Sequence, residues 1–240
     1  MQRDAITTLP TIYSSSLKGA FREAFGEGQP AKYIFGPENA SNDSHQTGAF
    51  HFFEASLLCR PVRSNKKPYF SAISIGIIES FLALLDDFSI EFDEATKAAL
   101  VQLGKEEIVA GKALIFENLD GVILEDYETT TSTLDVSALE VLLGKNLALF
   151  RDEEFKALSL PVLARNYLVN GESKNLWYEE VVPKKSKFYF VIAKPTNLDD
   201  VDKKDKLDKF EKQFDSMKHI QFGANKSIGY GYSKVEKVSL

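Results

Sequence analysis

A single amphipathic segment near the start of the chain, residues 10–25, places the strongest constraint on the fold. In its sequence, PTIYSSSLKGAFREAF, five apolar side chains recur at helical spacing: Leu17, Ala20, Phe21, Ala24 and Phe25. The hydroxyl oxygens of Ser14, Ser15 and Ser16 suit the free N–H groups that open a helix. We therefore predict a helix that begins at these serines and buries one apolar face.

The same segment is suited to a phosphate group. Lys18 and Arg22 lie four residues apart and off the apolar stripe. Together with the serine hydroxyls and the loose N–H groups, they place hydrogen-bond donors and positive charge where phosphates bind at helix starts. A capped amphipathic helix with two solvated cations has the same sequence, and these residues alone favour that simpler interpretation.

Composition limits the classes of function. The 240 residues are 44% hydrophobic, which is enough for a substantial core, and the net charge is −6. Residues 1–67 hold eight basic and six acidic side chains, so a site for a polyanion is predicted in this first third. One cysteine and three histidines argue against a disulfide within the chain and a structural zinc site. With no membrane-spanning apolar run and no leader, we expect a cytoplasmic protein.

The rest of the chain alternates predicted helices and strands, which indicates an α+β fold. Gly, Pro, Asn and Ser predict a loop over residues 26–48. Strands are predicted within residues 49–63, 69–75, 147–150 and 188–193. Helices are predicted over residues 77–85, 94–103, 135–143, 152–158 and 199–219, with Asp152 as the cap of the fourth.

Two hairpins and a glycine-rich segment complete this pattern. Asp120-Gly121 predicts a tight turn between two strands of residues 112–128. Residues 162–183 predict two strands around a polar turn, and Glu179 and Glu180 on the second strand point to opposite faces. Near the C terminus stand Gly223, Gly229 and Gly231. These glycines run into a last strand, so they predict a close backbone approach to a phosphodiester, or a tight strand entry, and not a dinucleotide site.

Five patches together resemble the backbone RAMP subunit of type III-B (Cmr) CRISPR effector complexes: SSSLKGAFR, the FGP turn, EASLLCRPVRS, NLWYEEVVP and FGANKSIGYG. They follow the family's order from about residue 2 to 237. The resemblance implies a modified ferredoxin-like (RRM-like) core whose first strand is missing here. It also implies a single domain over residues 1–240, with helical and hairpin insertions over about 76–160 and a hairpin thumb over about 162–183.

The resemblance further implies that copies of the subunit stack along CRISPR RNA, while their thumbs splay the duplex of guide and target RNA. The implied partners are CRISPR RNA, target RNA, copies of the chain itself and other type III-B subunits, with no membrane. Residues that match the family's contacts with the guide backbone, or extend that basic stripe, are Ser14, Ser16, Lys18, Arg22, Arg60, Arg63, Gly223, Gly229 and Gly231.

The family also cleaves target RNA with a divalent metal, Mg²⁺ or Mn²⁺. Its principal catalytic aspartate lies in a loop before the position of Gln2, and this sequence does not contain that loop. Asp4 does not replace it, and no metal ligand is assigned. Two interpretations follow: a shortened chain of a nuclease, or a scaffold that binds RNA without cutting. Glu179 is the candidate accessory catalytic residue.

A small-molecule phosphate enzyme unrelated to CRISPR is a third interpretation, which predicts a monomer that does not bind RNA.

Overall fold

The structure, a computed structural model, describes residues 1–37, 47–196, 201–216 and 219–238. The helices are α1 (Ser14–Phe25), α2 (Gln29–Phe35), α3 (Ile75–Asp87), α4 (Glu94–Leu103), α5 (Glu140–Leu143), α6 (Asp152–Ala157) and α7 (Val201–Ser216). The strands are β1 (Thr11–Ile12), β2 (His51–Phe52), β3 (Ala55–Val62), β4 (Phe70–Ser74), β5 (Lys112–Ile115), β6 (Ile123–Leu124), β7 (Tyr127–Thr131), β8 (Leu147–Phe150), β9 (Val162–Val169), β10 (Glu172–Glu180), β11 (Lys187–Tyr189), β12 (Ile192–Ala193), β13 (His219–Gln221) and β14 (Tyr232–Lys234).

A mixed eight-stranded sheet organises the fold. Its strands follow the order β1-β3-β4-β8-β5-β7-β6, and β11 also pairs with β3. The β4–β8 and β5–β7 pairs are parallel, whereas the other pairs of this sheet are antiparallel. Three further pairs form small antiparallel sheets: β9 with β10, β2 with β12, and β13 with β14. The predicted α+β class is therefore confirmed.

Two hydrophobic clusters hold these elements together. The larger cluster lies between the mixed sheet and helices α3 to α6. The second cluster is aromatic and joins α1, α2, β2, α7 and β13. At its centre the fully buried ring of Phe21 lies 5.6 Å from that of Phe52, 5.7 Å from Phe190 and 5.9 Å from Phe214. Burial of one such ring contributes about 1.5–3 kcal/mol, so the apolar face predicted for α1 anchors this cluster.

The loop predicted over residues 26–48 contains helix α2, and its residues 38–46 lie outside the described residues. Its side chains Ala31, Ile34 and Phe35 are buried in the aromatic cluster. Gly28 and Gly36, with φ of 128° and 90°, flank the helix on either side. Burial of these three side chains outweighs the turn-forming composition of the surrounding sequence, as packing often outweighs local propensity.

The hairpin predicted around Asp120-Gly121 is wrong. Gly121 does adopt a turn conformation, with φ of 65°. However, β5 before it pairs with β7 and β8 and not with β6, the next strand along the chain. The actual antiparallel hairpin joins β6 to β7 through Glu125, which has φ of 52°, and Asp126. Strand β5 lies between two neighbours inside the sheet, and local turn chemistry does not select such partners.

Three smaller differences concern element ends. Arg151, not Asp152, stands at the N-cap of α6, and the Asp152 carboxylate accepts the backbone N–H of Gly76 in the first turn of α3 at 3.0 Å. The strand predicted over residues 188–193 is split into β11 and β12. Helix α7 ends at Ser216, and His219 belongs to β13; residues 199–200 and 217–218 of the predicted helix lie outside the described residues. Within the described part of the chain, no helix is long and apolar enough to cross a membrane.

Candidate RNA-binding surface

Helix α1 starts at the predicted serines, but its first turn is held differently from the prediction. Tyr13 occupies the N-cap and makes no side-chain capping bond. Instead, the Gln2 side chain accepts the Tyr13 N–H at 2.8 Å and donates to the Ser16 hydroxyl at 2.9 Å. Ser14 remains exposed, and half-buried Lys18 makes no hydrogen bond or ion pair with any residue that the structure describes. The N–H donors of the Lys18 ammonium group are therefore unused within the described residues and can bind a ligand.

Arg22, the second predicted cation of this helix, has a structural contact. Its guanidinium donates to the backbone carbonyl of Gly36 at 2.7 Å, at the end of α2. This bond satisfies one of the carbonyls that a helix end leaves open. The structure therefore places Arg22 between α1 and α2, whereas Lys18 lies nearer the start of α1.

The glycine loop, residues 222–231, connects β13 to β14. Gly223, Gly229 and Gly231 have φ of 81°, 82° and 74°, a region that favours residues without Cβ. The Gln221 side-chain amide lies within the loop and donates to the carbonyls of Gly223 at 3.0 Å and Tyr230 at 3.1 Å. This amide fixes the conformation of a loop whose own backbone is largely exposed.

The fold brings the glycine loop against α1. Lys226 of the loop forms an ion pair with Glu23 in the last turn of α1. The ring of Phe222 lies 6.2 Å from that of Phe21, inside the aromatic cluster. The glycine loop therefore packs on the C-terminal half of the helix that begins at Ser14, despite about 200 residues of intervening sequence. Adjacent basic and glycine-rich elements suit a phosphodiester backbone.

The β9–β10 hairpin contacts this surface through Glu179. The Glu179 carboxylate accepts Nε1–H of Trp177 at 3.2 Å and Nε–H of Arg165 at 3.0 Å. The bond from Trp177, followed by the bond from Arg165, lowers the pKa of Glu179 below its usual range, and Asn225 of the glycine loop acts in the same direction. Arg165 also stacks over the Tyr230 ring of the loop, 4.8 Å from its centroid. Glu179 thus links the hairpin to the glycine loop.

Arg63 does not join this surface. It follows β3 at the end opposite to Ala55, which pairs with β1 next to α1. At about 3.3 Å per residue, the eight-residue strand separates the two ends by roughly 25 Å. The Arg63 side chain, 88% exposed, is paired with Glu125 at 2.6 Å. Any RNA contact of Arg63 is therefore separate from the contacts of α1 and the glycine loop.

The described residues do not offer a metal site of the usual kind. Across residues 1–37, 47–196, 201–216 and 219–238, no three His, Cys, Asp or Glu side chains are grouped so that they could hold an ion. Glu179 is engaged by Trp177 and Arg165, and the Asp4 carboxylate accepts hydrogen bonds from Thr7. Mg²⁺ and Mn²⁺ prefer several oxygen ligands, so this donor set does not fit them.

Sequence reasoning missed the contacts that assemble this surface, namely those of Gln2, Arg165, Gln221 and Tyr230. A signal existed only for Arg165, which lies on a predicted strand facing the strand of Glu179. The other contacts depend on tertiary packing, because the sequence does not reveal the positions of the groups to which Gln2 and Gln221 bond.

Comparison with known proteins places these features in a family context. The sequence profile of the RAMP superfamily matches residues 1–235. The chain is 28% identical over 264 aligned residues to the CRISPR system Cmr endoribonuclease Cmr4 of Pyrococcus furiosus, an alignment that covers 98% of this chain and 86% of that protein.

Solved structures share the fold. Oligomeric Cmr4 from Pyrococcus furiosus superposes with a TM-score of 0.70 at 22% identity, covering 98% of this chain and 88% of that one. A chain of the type III-B Cmr-beta complex bound to cognate target RNA gives a TM-score of 0.75 at 21% identity, covering 98% and 86%. The fold of this chain is therefore a known architecture.

Proposed function

Because this chain belongs to the RAMP superfamily, we propose that it is a Cmr4-like backbone subunit of a type III-B CRISPR effector complex and binds CRISPR RNA. The proposal is supported by similarity to Cmr4 along almost the whole chain. The family assignment argues against the unrelated small-molecule enzyme. The proposed partners are CRISPR RNA, target RNA, further copies of the chain and other type III-B subunits, and the proposed location is the cytoplasm.

The finer features of the fold take their roles from this proposal. The chain forms a single RAMP domain with a modified ferredoxin-like core and an insertion over about residues 76–160. The β9–β10 hairpin is the thumb. Its exposed aromatic and aliphatic side chains suit stacking on bases of a splayed duplex: Tyr167, Leu168, Leu176, Trp177 and Tyr178.

The observation that carries the RNA-binding proposal is the packing of the glycine loop on α1. Contacts with Phe21 and Glu23 hold the loop of Gly223, Gly229 and Gly231 against the helix whose first turns carry Ser14, Ser16 and Lys18, which supports a shared role in RNA binding. Lys18 is half-buried and has no hydrogen-bond or ion-pair partner among the described residues. The backbone of a guide RNA on this surface would contact N–H groups, hydroxyls and an ammonium group. Such contacts with phosphates and sugars do not depend on the base sequence. The surface therefore suits an arbitrary guide.

The test uses Lys18→Ala in the complex assembled with CRISPR RNA and partner subunits. Loss of one phosphate contact per copy should weaken binding to all guide sequences alike. It should also lower the slope of log affinity against log salt by about 1 per contact. Lys105→Ala is the matched control, because Lys105 is exposed and follows α4, which packs in the larger cluster and not in the aromatic cluster of α1. Equal salt slopes for the two variants would refute the assignment of Lys18.

Metal-dependent cleavage of target RNA is the second candidate function, and it is favoured by the name of the curated relative. The described residues do not fit Mg²⁺ or Mn²⁺. The assembled complex should be incubated with labelled complementary RNA and either cation. Evenly spaced products that disappear with Glu179→Gln would assign cleavage to these residues. Tight target binding without products would identify the chain as a scaffold.

A further inference from the structure

A cavity of about 210 Å³ lies at the base of the β9–β10 hairpin, outside the surface of α1 and the glycine loop. Its walls come from the N-terminal segment, β3, the end of α6 and the residue that ends β10. The charged side chains that line it are Arg3, Arg60, Lys156 and Glu180. Three cations against one carboxylate give the cavity a positive potential, which attracts anions.

Arg60 is the unusual member of this lining. It is only 5% exposed, and its Nη2 donates to the Leu158 carbonyl at 2.7 Å. Its guanidinium lies over the Phe155 ring, 5.4 Å from the centroid. The buried Nε–H has no hydrogen-bond partner in the described structure. A buried donor without a partner is costly, and the cost is greater when the group carries a charge.

No carboxylate among the described residues forms an ion pair with Arg60. The carboxylates whose charges raise the pKa of Arg60 are those of Glu125 and Glu180. Glu125 is held by Arg63 at 2.6 Å, and Glu180 is held by Arg3 at 2.6 Å. Burial lowers the pKa of Arg60 to about 10, so the side chain is still a cation at neutral pH. No ion pair within the described residues therefore neutralises this positive charge.

The dimensions and chemistry of the cavity select the kind of anion. Its volume is below the roughly 300–1,000 Å³ of pockets that enclose drug-sized ligands, so a whole nucleotide is too large. Arg60 contributes the positive charge of a guanidinium whose Nη2 is already bonded to the Leu158 carbonyl, and Lys156 adds a second positive charge. Thr8 and Ser159 also line the space. A tetrahedral oxyanion matches this donor set.

We propose that this cavity binds one phosphate group, at a site separate from α1 and the glycine loop. Two consecutive residues connect the sites, because Gln2 bonds to Ser16 at the start of α1, whereas Arg3 lines the cavity. An RNA that follows α1 therefore passes beside the cavity and supplies a phosphodiester. Free inorganic phosphate is the other source of the same group. The RNA source rests on the proposed function, whereas binding of inorganic phosphate does not.

The first experiment measures the thermal stability of the isolated chain in inorganic phosphate, with NaCl keeping the ionic strength constant. A ligand that binds the folded state raises the melting temperature with the logarithm of its concentration. Lys156→Ala should weaken the apparent phosphate affinity about two- to fivefold, because Lys156 is exposed. Glu180→Gln should strengthen it by a similar factor, because it removes a negative charge and releases Arg3. Lys105→Ala should match the wild type.

Arg60→Met should abolish the phosphate-dependent rise in melting temperature if the variant folds. If it does not fold, Lys156→Ala and Glu180→Gln test the proposal. The absence of a phosphate-dependent rise above the NaCl control would refute the proposal, as would equal affinities in all variants.

The second experiment measures RNA binding by the assembled complex. A salt slope lowered by about 1 in Lys156→Ala identifies an RNA phosphate as the ligand. An unchanged slope with a retained thermal effect identifies free phosphate. Failure of Lys18→Ala to change RNA binding leaves the thermal result intact, so the two proposals fail separately.

Discussion

Gly231 is the position in the glycine loop where an added side chain should do most damage. Its φ is +74°, and a Cβ built there would lie 1.8 Å from the carbonyl oxygen of Phe222. The Gly231 carbonyl in turn accepts the N–H of Phe222 at 3.0 Å. Gly231→Ala must therefore move one of the two chain segments and weaken this hydrogen bond.

The variant Gly229→Ala separates the cost of the backbone conformation from the cost of the steric overlap with Phe222. Its φ is +82°, but a Cβ there meets no atom within 4 Å. Gly229→Ala therefore incurs only the left-handed backbone cost of about 1–2 kcal/mol. Gly231→Ala adds the steric overlap and the loss of a hydrogen bond of about 0.5–1.5 kcal/mol. We expect roughly 2–4 kcal/mol of destabilisation for Gly231→Ala and about half of that for Gly229→Ala.

Urea unfolding of both variants measures these differences, because Phe222 packs against the aromatic cluster around Phe21. Amide hydrogen exchange at Phe222 reports the local hydrogen bond directly. Affinity for CRISPR RNA should fall more in Gly231→Ala than in Gly229→Ala, since only the former displaces the loop. Equal losses of stability in the two variants would show that backbone conformation alone, and not the approach to Phe222, requires glycine at position 231.

Two further predictions concern the hairpin and the aromatic cluster. Glu179 has a pKa below its ordinary value of 4.5, so its bond from Trp177 should persist above pH 4.5 and be lost as the pH falls through the lowered value. Fluorescence of Trp177, the single tryptophan, should report this midpoint, and Arg165→Met should move it up toward 4.5. Phe21→Ala should cost about 3–5 kcal/mol in urea unfolding. Val141→Ala, at a 93% exposed position, should change stability by no more than about 0.5 kcal/mol.

The spacing of apolar residues predicted most helices and strands, because each of these elements buries the face on which its own apolar residues recur. The structure places α4 at Glu94–Leu103 and β8 at Leu147–Phe150, both as predicted. Prediction failed where a distant partner decides the local structure. Helix α2 depends on burial of Ile34 and Phe35, and the partners of β5 come from residues 127–131 and 147–150. Such long-range choices leave no periodic signal in the sequence.

The candidate site illustrates the same limit through one strand irregularity. The register between β9 and β10 shifts between Ser173 and Asn175, so Arg165 lies opposite Trp177. Without that shift, Arg165 would lie opposite Leu176, and Glu179 would face the other side of the hairpin. The ion pair of Arg165 with Glu179 therefore depends on one bulge. Sequence alone predicts the hairpin and its two strands but does not reveal the bulge.

The adjacent carboxylates Glu179 and Glu180 hold the hairpin in two directions. Glu179 bonds Arg165, which stacks on the glycine loop, and Glu180 bonds Arg3 of the N-terminal segment at 2.6 Å. A two-stranded hairpin is marginally stable by itself, so contacts at its base largely determine its orientation. Partly exposed ion pairs contribute about 1 kcal/mol or less and weaken as salt rises. The ionic strength that should weaken the proposed phosphate contacts should therefore also loosen the hairpin, so salt should act on both proposed RNA-binding elements together.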